Sequence, residues 1–214
     1  MEPDPRHQCF IYAGAPSQKL PALAAAMLPM MENGYRCLYM NSSPMVAGMR
    51  SHLAAKGVDV STQTAEGRLI FSSEPVSKGD DFNVEEMIQK LEGELDQALR
   101  DGFKGLWASG DMTWELGSPK NFGKVLEYEW KLEALFHKRK ELHGICQYHY
   151  DTLPTEVMRR GLMIHRNLFI NETLSQINPH YVNSKSPSER EATNQLLDTM
   201  IAQLCRSNTE INRR

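Results

Sequence analysis

Short apolar runs alternate with longer segments of helical periodicity along this 214-residue chain as far as about residue 171. A strand that is joined through a helix to the next strand forms a right-handed crossover, which places both strands parallel in one sheet. Six such runs therefore predict an α/β fold with a mostly parallel central sheet and helices on both faces. The predicted strands cover residues 9–13, 35–41, 68–73, 105–110, 141–150 and 167–171.

The segments between these runs carry the signals of helices. Residues 20–33 have one apolar side and end at Gly34, although Pro29 should kink that helix or end it early. Asn83 is placed to cap a helix whose apolar positions repeat at the helical period as far as Gly102. Further helices are predicted from Pro44 to Gly57, over residues 121–138, and from Pro154 to about Ile164.

Composition limits the class of protein. Lysine and arginine total 24 against 27 for aspartate and glutamate, which gives no broad basic surface for nucleic acid. No apolar run approaches the roughly 18–20 residues that cross a bilayer, and the N-terminus has no leader of the secretory kind. Four scattered cysteines without a CxxC pair are typical of reduced thiols in a cytosol. We therefore expect a cytoplasmic protein that binds neither nucleic acid nor a membrane directly.

The chain changes character after about residue 182. Residues 1–182 are expected to form the α/β domain, and residues 183–214 a C-terminal amphipathic helix and tail. Ser186 and Glu189 have the spacing of a capping box at the start of that helix. We favour packing of the helix on the same domain, but a homo-oligomer or a partner contact through it stays open, because an apolar stripe does not name its partner.

The loop after the first strand lies where a nucleotide-binding fold would place its phosphate loop. A working loop reads GxxxxGK followed by Ser or Thr. Gly14, Ser17 and Lys19 remain here, whereas Gln18 replaces the second glycine and Leu20 replaces the hydroxyl. Lys19 is interpreted as a solvated lysine of a degenerate loop. Nucleotide binding or weak hydrolysis, with Lys19 and the next helix N-terminus holding phosphate, is the alternative.

A carboxylate and an indole follow the fourth strand just past its carboxyl end. Asp111 and Trp114 are these residues. Open α/β sheets bind ligands at the carboxyl edge of their strands, commonly with one aromatic wall and a few polar groups. A ligand pocket is one interpretation. In the other, Asp111 caps a turn and Trp114 belongs to the core.

Glu129 interrupts the apolar stripe of its own helix, so its carboxylate should point toward the sheet. A buried carboxylate requires an ion pair or hydrogen bonds. Tyr148, His149, His165 or a ligand group are the candidate partners. The alternative is a helix rotated by one position, with Trp130 inward and Glu129 at the boundary.

The segment HGICQYHY suggests a metal site made of His143, Cys146 and His149. Alternate residues of a strand face opposite sides, so Cys146 points away from both histidines, and zinc is not expected there. We predict neither a metal nor another cofactor. His165 is interpreted as a helix C-terminal cation or a hydrogen-bonded core residue, and His7 receives no site role.

These residues together resemble the methanogen/methylotroph sensory domain family, MEDS. The resemblance rests on His7, the GDMTW run, the pair Tyr128 and Glu129, the CQYHY segment from Cys146, and residues 162–165, and it covers about residues 7–182. The family is a degenerate relative of RecA-like ATPases that senses small organic molecules such as hydrocarbon derivatives. It often precedes a kinase or a DNA-binding output domain.

The resemblance implies a RecA-like three-layer fold and a sensory role in signal transduction or transcription regulation. No nucleophile elbow, HExxH pair or dinucleotide loop is found in the sequence, so we expect a non-catalytic domain. With no output domain of its own expected, the chain would act through a protein partner, such as a kinase or regulator, or through an oligomer. The ligand-binding residues are predicted to be Asp111, Trp114, Glu129, Tyr148, His149 and His165.

Overall fold

The computed structural model describes residues 6–73, 82–115, 122–171, 174–181 and 197–206. Its strands are β1 (His7–Tyr12), β2 (Arg36–Met40), β3 (Leu69–Ser72), β4 (Leu106–Asp111), β5 (Leu142–His149), β6 (Asn167–Asn171) and β7 (Leu174–Ile177). They form one sheet in the order β3-β2-β4-β5-β1-β6-β7. All paired strands are parallel except β6 and β7, which are antiparallel. The predicted α/β fold with a mostly parallel sheet is confirmed.

Helices cover both faces of this sheet. They are α1 (Leu20–Glu32), α2 (Ser43–Ala55), α3 (Val60–Ala65), α4 (Val84–Arg100), α5 (Met112–Glu115), α6 (Phe122–Lys138) and α7 (Thr155–Ile164). Helices α1 and α2 bury their apolar sides against one face, and α4, α6 and α7 bury theirs against the other. Each face therefore has its own apolar cluster, as a three-layer fold requires.

Successive side chains of a strand point to opposite faces of the sheet, so the position of a residue in its strand decides on which face it is buried. Cys9 of β1 packs toward α6 and α7, whereas Phe10 packs toward α1 and α2. In β5, Cys146 and Tyr148 share the α6 and α7 side, and Ile145 lies on the opposite side. Polar residues on neighbouring positions of one strand are consequently separated by the sheet itself.

Two expectations about local structure do not hold. Of the two effects expected from Pro29, an early end of the helix is wrong, because α1 continues through Pro29 to Glu32. Pro29 lies on the exposed side of α1, where water can satisfy the carbonyl that loses its N–H partner. The sheet also has a seventh strand, β7, whose four residues are all exposed. An antiparallel edge strand needs no helical crossover, so the alternation of strands and helices does not predict it.

Residues 197–206 form a helix that packs on the α/β domain. Leu197 and Ile201 are buried in the apolar cluster beneath α6 and α7. Arg159 of α7 also donates two hydrogen bonds of 2.7 Å to the carboxylate of Asp198. This is the packing favoured from the sequence, although the expected capping residues near 186–189 lie outside the described residues. No helix in the described part of the chain is long and apolar enough to cross a membrane.

Candidate functional site

The predicted site residues fall into two groups that lie on opposite faces of the sheet. Glu129, Tyr148 and His165 lie together beneath α6 and α7. Asp111 and His149 lie on the α1 side, where both are close to Tyr12. Because the sheet separates the two groups, these residues do not line a single pocket. Trp114 lies in α5 directly after β4, and its side chain is outside what the structure describes.

The first group is centred on Glu129 of α6, which is fully buried. The Tyr148 hydroxyl donates a hydrogen bond to Oε1 of Glu129. The other oxygen, Oε2, lies 3.5 Å from Nε2 of His165 and 4.0 Å from Nε2 of His7. Nε2 of His7 also lies 3.3 Å from Sγ of Cys146. These five residues form what we term the histidine–glutamate cluster.

Local structure explains why this carboxylate points inward. Glu129 shares the sheet-facing side of α6 with Val125 and Leu132, which are both buried. Trp130 is 57% exposed, so the alternative with that indole inward is wrong. The carboxyl group of Glu129 is therefore held inside by its apolar neighbours along the stripe, as the helical period predicts.

His7 is oriented by a second carboxylate of α6. Its Nδ1 lies 2.5 Å from Oε2 of Glu133, and the Phe136 ring stacks on the imidazole at 4.2 Å between centroids. Burial lowers the pKa of His7, and the bond to Glu133 only partly opposes this. Burial alone would raise the pKa of Glu133, but its interactions with His7, His137 and Tyr181 together lower the pKa. A neutral His7 then donates from Nδ1 and directs the lone pair of Nε2 into the cluster.

His165 has the same arrangement at the end of α7. Its Nδ1 lies 2.7 Å from the carbonyl oxygen of Gly161, which can only accept, so Nδ1 carries the proton. Burial lowers the pKa of His165 well below its usual value, and His7 lowers it further. The side chain is thus the hydrogen-bonded core residue and not the helix-end cation of the two interpretations. Its Nε2 lone pair faces Glu129.

The centre of the cluster leaves polar atoms without protein partners. Burial raises the pKa of Glu129 to about 8, although the hydrogen bond from Tyr148 opposes the shift. Within the part of the chain that the structure describes, Oε2 of Glu129 and Nε2 of His165 make no hydrogen bond. A buried polar atom left unpaired costs about 1–3 kcal/mol. Unpaired buried polar atoms are rare in folded proteins, so two that face each other need a specific explanation.

Glycines allow the backbone to come close around the cluster. A Cβ on Gly161 would lie 2.7 Å from the ring of Tyr148, so only glycine lets α7 pack at this distance. A Cβ on Gly144 would lie 2.7 Å from the carbonyl of Ala108. Beside Cys146, between β5 and α6, lies an apolar cavity of about 20 Å³. This is about the room that one water-sized group needs.

The second group forms a hydrogen-bonded network at the carboxyl edge of the sheet. Asp111 accepts hydrogen bonds from the Tyr12 hydroxyl at 3.2 Å and from the backbone N–H of Thr113 at 2.8 Å. Gln147 donates to the Ser109 hydroxyl at 2.9 Å, and Ser109 donates to a backbone carbonyl at 2.9 Å. The carboxyl-edge network consists of Tyr12, Ser109, Asp111, Gln147 and His149.

Residues at the same edge form hydrogen bonds with the backbone of the degenerate phosphate loop. Nε2 of His149 donates to the Gly14 carbonyl at 2.8 Å, and the Gly14 N–H donates to the Asp151 carboxylate at 2.8 Å. Gly14 has a φ of +80°, which favours glycine. Ser17 is exposed. Lys19 is only 3% exposed, and burial lowers its pKa, so the prediction of a solvated lysine is wrong.

Sequence reasoning missed three residues of the buried site, and each carried a usable signal. Cys146 is two positions before Tyr148 in β5 and therefore shares its face. Glu133 is one helical turn after Glu129 and shares its side of α6. His7 lies two positions before Cys9 in β1 and therefore faces the same side of the sheet, toward α6 and α7. The metal candidates of the sequence all lie in one segment, whereas the ligand-type side chains of this cluster come from four separate elements.

The fold and the buried cluster define a RecA-like α/β domain that encloses a polar site. The sequence profile of the methanogen/methylotroph, DcmR sensory domain family, MEDS, matches residues 6–166. The chain therefore belongs to this sensory-domain family, and the matched range contains the complete histidine–glutamate cluster. No similar sequence was found among curated proteins.

Among solved structures, a KaiC-like protein from the hyperthermophilic archaeon Pyrococcus horikoshii is similar to this chain. The TM-score is 0.53 at 15% sequence identity, and the match covers 75% of this chain and 70% of that protein. At this identity the likeness concerns the fold alone. It agrees with the RecA-like architecture expected from the resemblance.

Proposed function

We propose that this chain is a non-catalytic, cytoplasmic sensory domain that binds a small organic ligand, such as a hydrocarbon derivative or similar metabolite, at the histidine–glutamate cluster. One observation carries the proposal. Oε2 of Glu129 and Nε2 of His165 face each other at 3.5 Å without a hydrogen bond in the described part of the chain. Membership of a sensory-domain family supports the role. The four cysteines are free thiols, and this supports the cytoplasmic assignment because thiols stay reduced in the cytosol.

The cluster has the chemistry to recognise a ligand of few atoms with one polar group. Glu129, protonated by its burial, is a donor through Oε2, and the Nε2 lone pair of His165 is an acceptor. Nε2 of His7 already accepts a hydrogen bond from the Cys146 thiol. The cavity beside Cys146 offers an apolar surface of matching size. A polar head between the histidines and a short apolar part in this cavity would satisfy both surfaces.

Ligand binding at this place would be transmitted through the helices that build it. The cluster joins α6 and α7 to β1 and β5. A ligand that binds one arrangement of these helices better than another shifts the population toward it. A protein partner, such as a kinase or a regulator of transcription, would then recognise the favoured arrangement.

Nucleotide binding is the second candidate, and the RecA-like fold is the observation that favours it. The contacts of the loop oppose it. The Asp151 carboxylate takes the Gly14 N–H that a phosphate would need, and its negative charge would repel phosphate. Lys19 is buried, whereas the lysine of a working loop points at the phosphates. We therefore propose a small organic ligand in preference to a nucleotide.

A thermal-shift screen tests this proposal. The full chain is heated with alcohols, amines, carboxylates and halides of one to four carbons, and separately with magnesium ATP. A ligand present at about 100 times its Kd adds about 2.7 kcal/mol of stability. For a chain of this size that corresponds to a Tm increase of roughly 5–10 °C.

Two tyrosine variants provide a matched comparison for the screen. Tyr148→Phe removes the hydroxyl that orients Glu129, so it should lose most of the ligand-dependent shift. Tyr12→Phe removes an equally buried hydroxyl on the opposite face and should keep the shift. An increase with ATP and none with any small compound would contradict the proposal. Equal loss of the shift in both variants would contradict the assignment to this cluster.

A further inference from the structure

We propose that the histidine–glutamate cluster is a metal centre, in which His7, Glu129, Cys146 and His165 coordinate one divalent transition-metal ion of the zinc type. The inference deepens the proposed function and rests on it for the role of the ion. With the ion bound, the polar head of the ligand would approach the metal as a fifth group, in place of direct hydrogen bonds to Glu129 and the histidines. The four side chains come from β1, α6, β5 and the end of α7. Ion binding would therefore join four elements of the fold at one point.

The positions of the four donor atoms fit a small ion. One ligand atom from each residue lies within 4.8 Å of all the others. The individual separations include 3.3 Å between Nε2 of His7 and Sγ of Cys146, and 3.5 Å between Nε2 of His165 and Oε2 of Glu129. Zinc bonds of about 2.0–2.3 Å place tetrahedral ligands roughly 3.3–3.8 Å apart. The widest pair needs to close by only about 1 Å.

Each ligand is already oriented by a partner outside the cluster's centre. Nδ1 of His7 bonds to Glu133, and Nδ1 of His165 bonds to the Gly161 carbonyl, so both imidazoles present Nε2. Tyr148 holds Oε1 of Glu129 and leaves Oε2 facing the histidines. Metal-ligating histidines nearly always have such carboxylate or carbonyl partners, which fix the tautomer and the ring orientation.

The charge of the donor set also matches a divalent cation. Ion binding would displace the protons of Glu129 and Cys146 to solvent, and the resulting carboxylate and thiolate together carry the two negative charges that neutralise such an ion. Two imidazoles, whose Nδ1 atoms are held by Glu133 and by the Gly161 carbonyl, complete the set. A buried carboxylate without a counter-charge is costly. An ion between these groups would satisfy the two polar atoms that have no hydrogen bond among the described residues. Imidazole with thiolate and carboxylate is a donor set typical of zinc.

A purely hydrogen-bonded cluster is the competing account. It requires protonated Glu129 to donate through Oε2 to Nε2 of His165, because Nε2 is the remaining acceptor. The two atoms, Oε2 of Glu129 and Nε2 of His165, are 3.5 Å apart. Hydrogen bonds between oxygen and nitrogen are usually about 2.7–3.2 Å long. The same oxygen is 4.0 Å from His7. The Cys146 thiol can bond directly to Nε2 of His7 at 3.3 Å. The spacings from Glu129 to the two histidines are wider than direct hydrogen bonds and suit an atom placed between the groups.

Cobalt titration of the full chain, after treatment with a chelator, tests the metal centre. Cobalt bound by a thiolate in a tetrahedral site gives a charge-transfer band in the near ultraviolet and intense visible bands. We expect both to saturate at one ion per chain. Zinc should displace the cobalt, and competition with a chromophoric chelator measures its affinity.

Variants separate the proposed ligands from other buried residues. Cys146→Ser should abolish the charge-transfer band, and His165→Gln should weaken zinc binding at least 100-fold. Glu133→Gln alters a positioning residue and should weaken it 10–100-fold. Cys37→Ser changes an equally buried cysteine on the opposite face and should bind as the wild type does. Circular dichroism of each variant confirms folding, and the zinc-dependent Tm increase of the wild type gives a measurement without any substitution.

The results overturn or support the metal centre without deciding the proposed function. Failure to bind zinc or cobalt, or a charge-transfer band retained in Cys146→Ser, would overturn it. Screening the small organic compounds against both zinc-loaded and stripped wild type separates the two ideas. Zinc binding without any ligand effect would remove the sensory proposal and keep the metal centre. Ligand binding by stripped protein that takes up no zinc would do the reverse.

Discussion

The two buried polar groups occupy opposite faces of one sheet and satisfy their hydrogen bonds differently. In the carboxyl-edge network, Asp111 meets Tyr12 and Thr113, and Gln147 meets Ser109. No side chain of this network is among the described residues that leave a buried polar atom unpaired. In the histidine–glutamate cluster, such atoms remain on Glu129 and His165, which face each other.

Under the proposed function, this difference distinguishes a structural network from a binding site. A network in which each buried polar atom has a partner within the protein rigidifies the fold. A cluster whose atoms are oriented but unpaired is prepared for a group that the protein does not itself supply. Folds of this kind usually bind ligands at the carboxyl edge. Here the protein's own hydrogen bonds occupy the described groups at that edge, and the unpaired groups lie deep on the other face.

Replacement of Asp111 should have the largest effect on stability. Asp111→Ala leaves the buried Tyr12 hydroxyl and the Thr113 N–H without their acceptor, so we expect a loss of about 3 kcal/mol in the free energy of unfolding. Urea unfolding followed by circular dichroism measures this loss. In a Tyr12→Phe background the same substitution should cost less, because one unpaired donor is already absent. Ligand and zinc binding should stay within about twofold of wild type, since this network does not touch the cluster.

The opposite result would remove the distinction between the two groups. If Asp111→Ala abolished ligand binding while the unfolding free energy changed little, the carboxyl edge would be the binding site. The first interpretation of Asp111, as part of a ligand pocket, would then apply.

A methyl group on Gly161 should disturb the cluster with the next largest effect. The added Cβ would lie 2.7 Å from the Tyr148 ring, and overpacking of this kind costs about 1–3 kcal/mol. The displaced ring should also release Glu129, so Gly161→Ala should weaken ligand binding as well. Gly93→Ala in α4 is the matched control, because its Cβ meets nothing within 4 Å. That variant should gain up to about 1 kcal/mol from helix propensity. Equal behaviour of the two variants would show that α7 can move freely away from Tyr148.

The sequence predicts the scaffold better than the site, for a physical reason. Strands and helices follow from local periodicity and from the crossover rule, and six strands and the main helices lie within a few residues of their predicted bounds. The inward position of Glu129 was also predictable, because one carboxylate on an apolar stripe is a local signal.

Which site residues come together depends on the face of the sheet that each one occupies and on how the strands and helices pack. A single segment of sequence does not show this packing. His149 and Tyr148 are neighbours in sequence, yet the sheet separates them, because neighbouring strand residues face opposite sides. Cys146 was dismissed as a metal ligand because His143 and His149 face away from it. The histidines that do approach Cys146 are His7 and His165, which are distant in sequence and reach it only through tertiary packing.

Replacement of Glu129 by its amide should have a small effect on stability and a large one on binding. Burial raises the pKa of Glu129 to about 8, so the side chain is largely protonated at neutral pH in the protein without bound ions. Glutamine has nearly the same shape and is also neutral, so Glu129→Gln should change the unfolding free energy by less than about 1 kcal/mol. Calorimetric titration should show loss of ligand binding. A cost as large as that of Asp111→Ala would mean that Glu129 is as structural as the carboxyl-edge network.

Lys19 should give the smallest effect of all. Burying a lysine ammonium is unfavourable, and burial lowers its pKa here, so Lys19→Met should change the unfolding free energy by no more than about 0.5 kcal/mol, or increase it. Because Asp151 already occupies the Gly14 N–H, magnesium ATP should raise the Tm of neither wild type nor variant. Lys56→Met, at an exposed position after α2, is the control for removing one surface charge. An ATP-dependent Tm increase that Lys19→Met alone removes would show that the carboxyl edge opens to accept phosphate. The hydrogen bonds seen there would then be one state of a nucleotide site and not a fixed part of the scaffold.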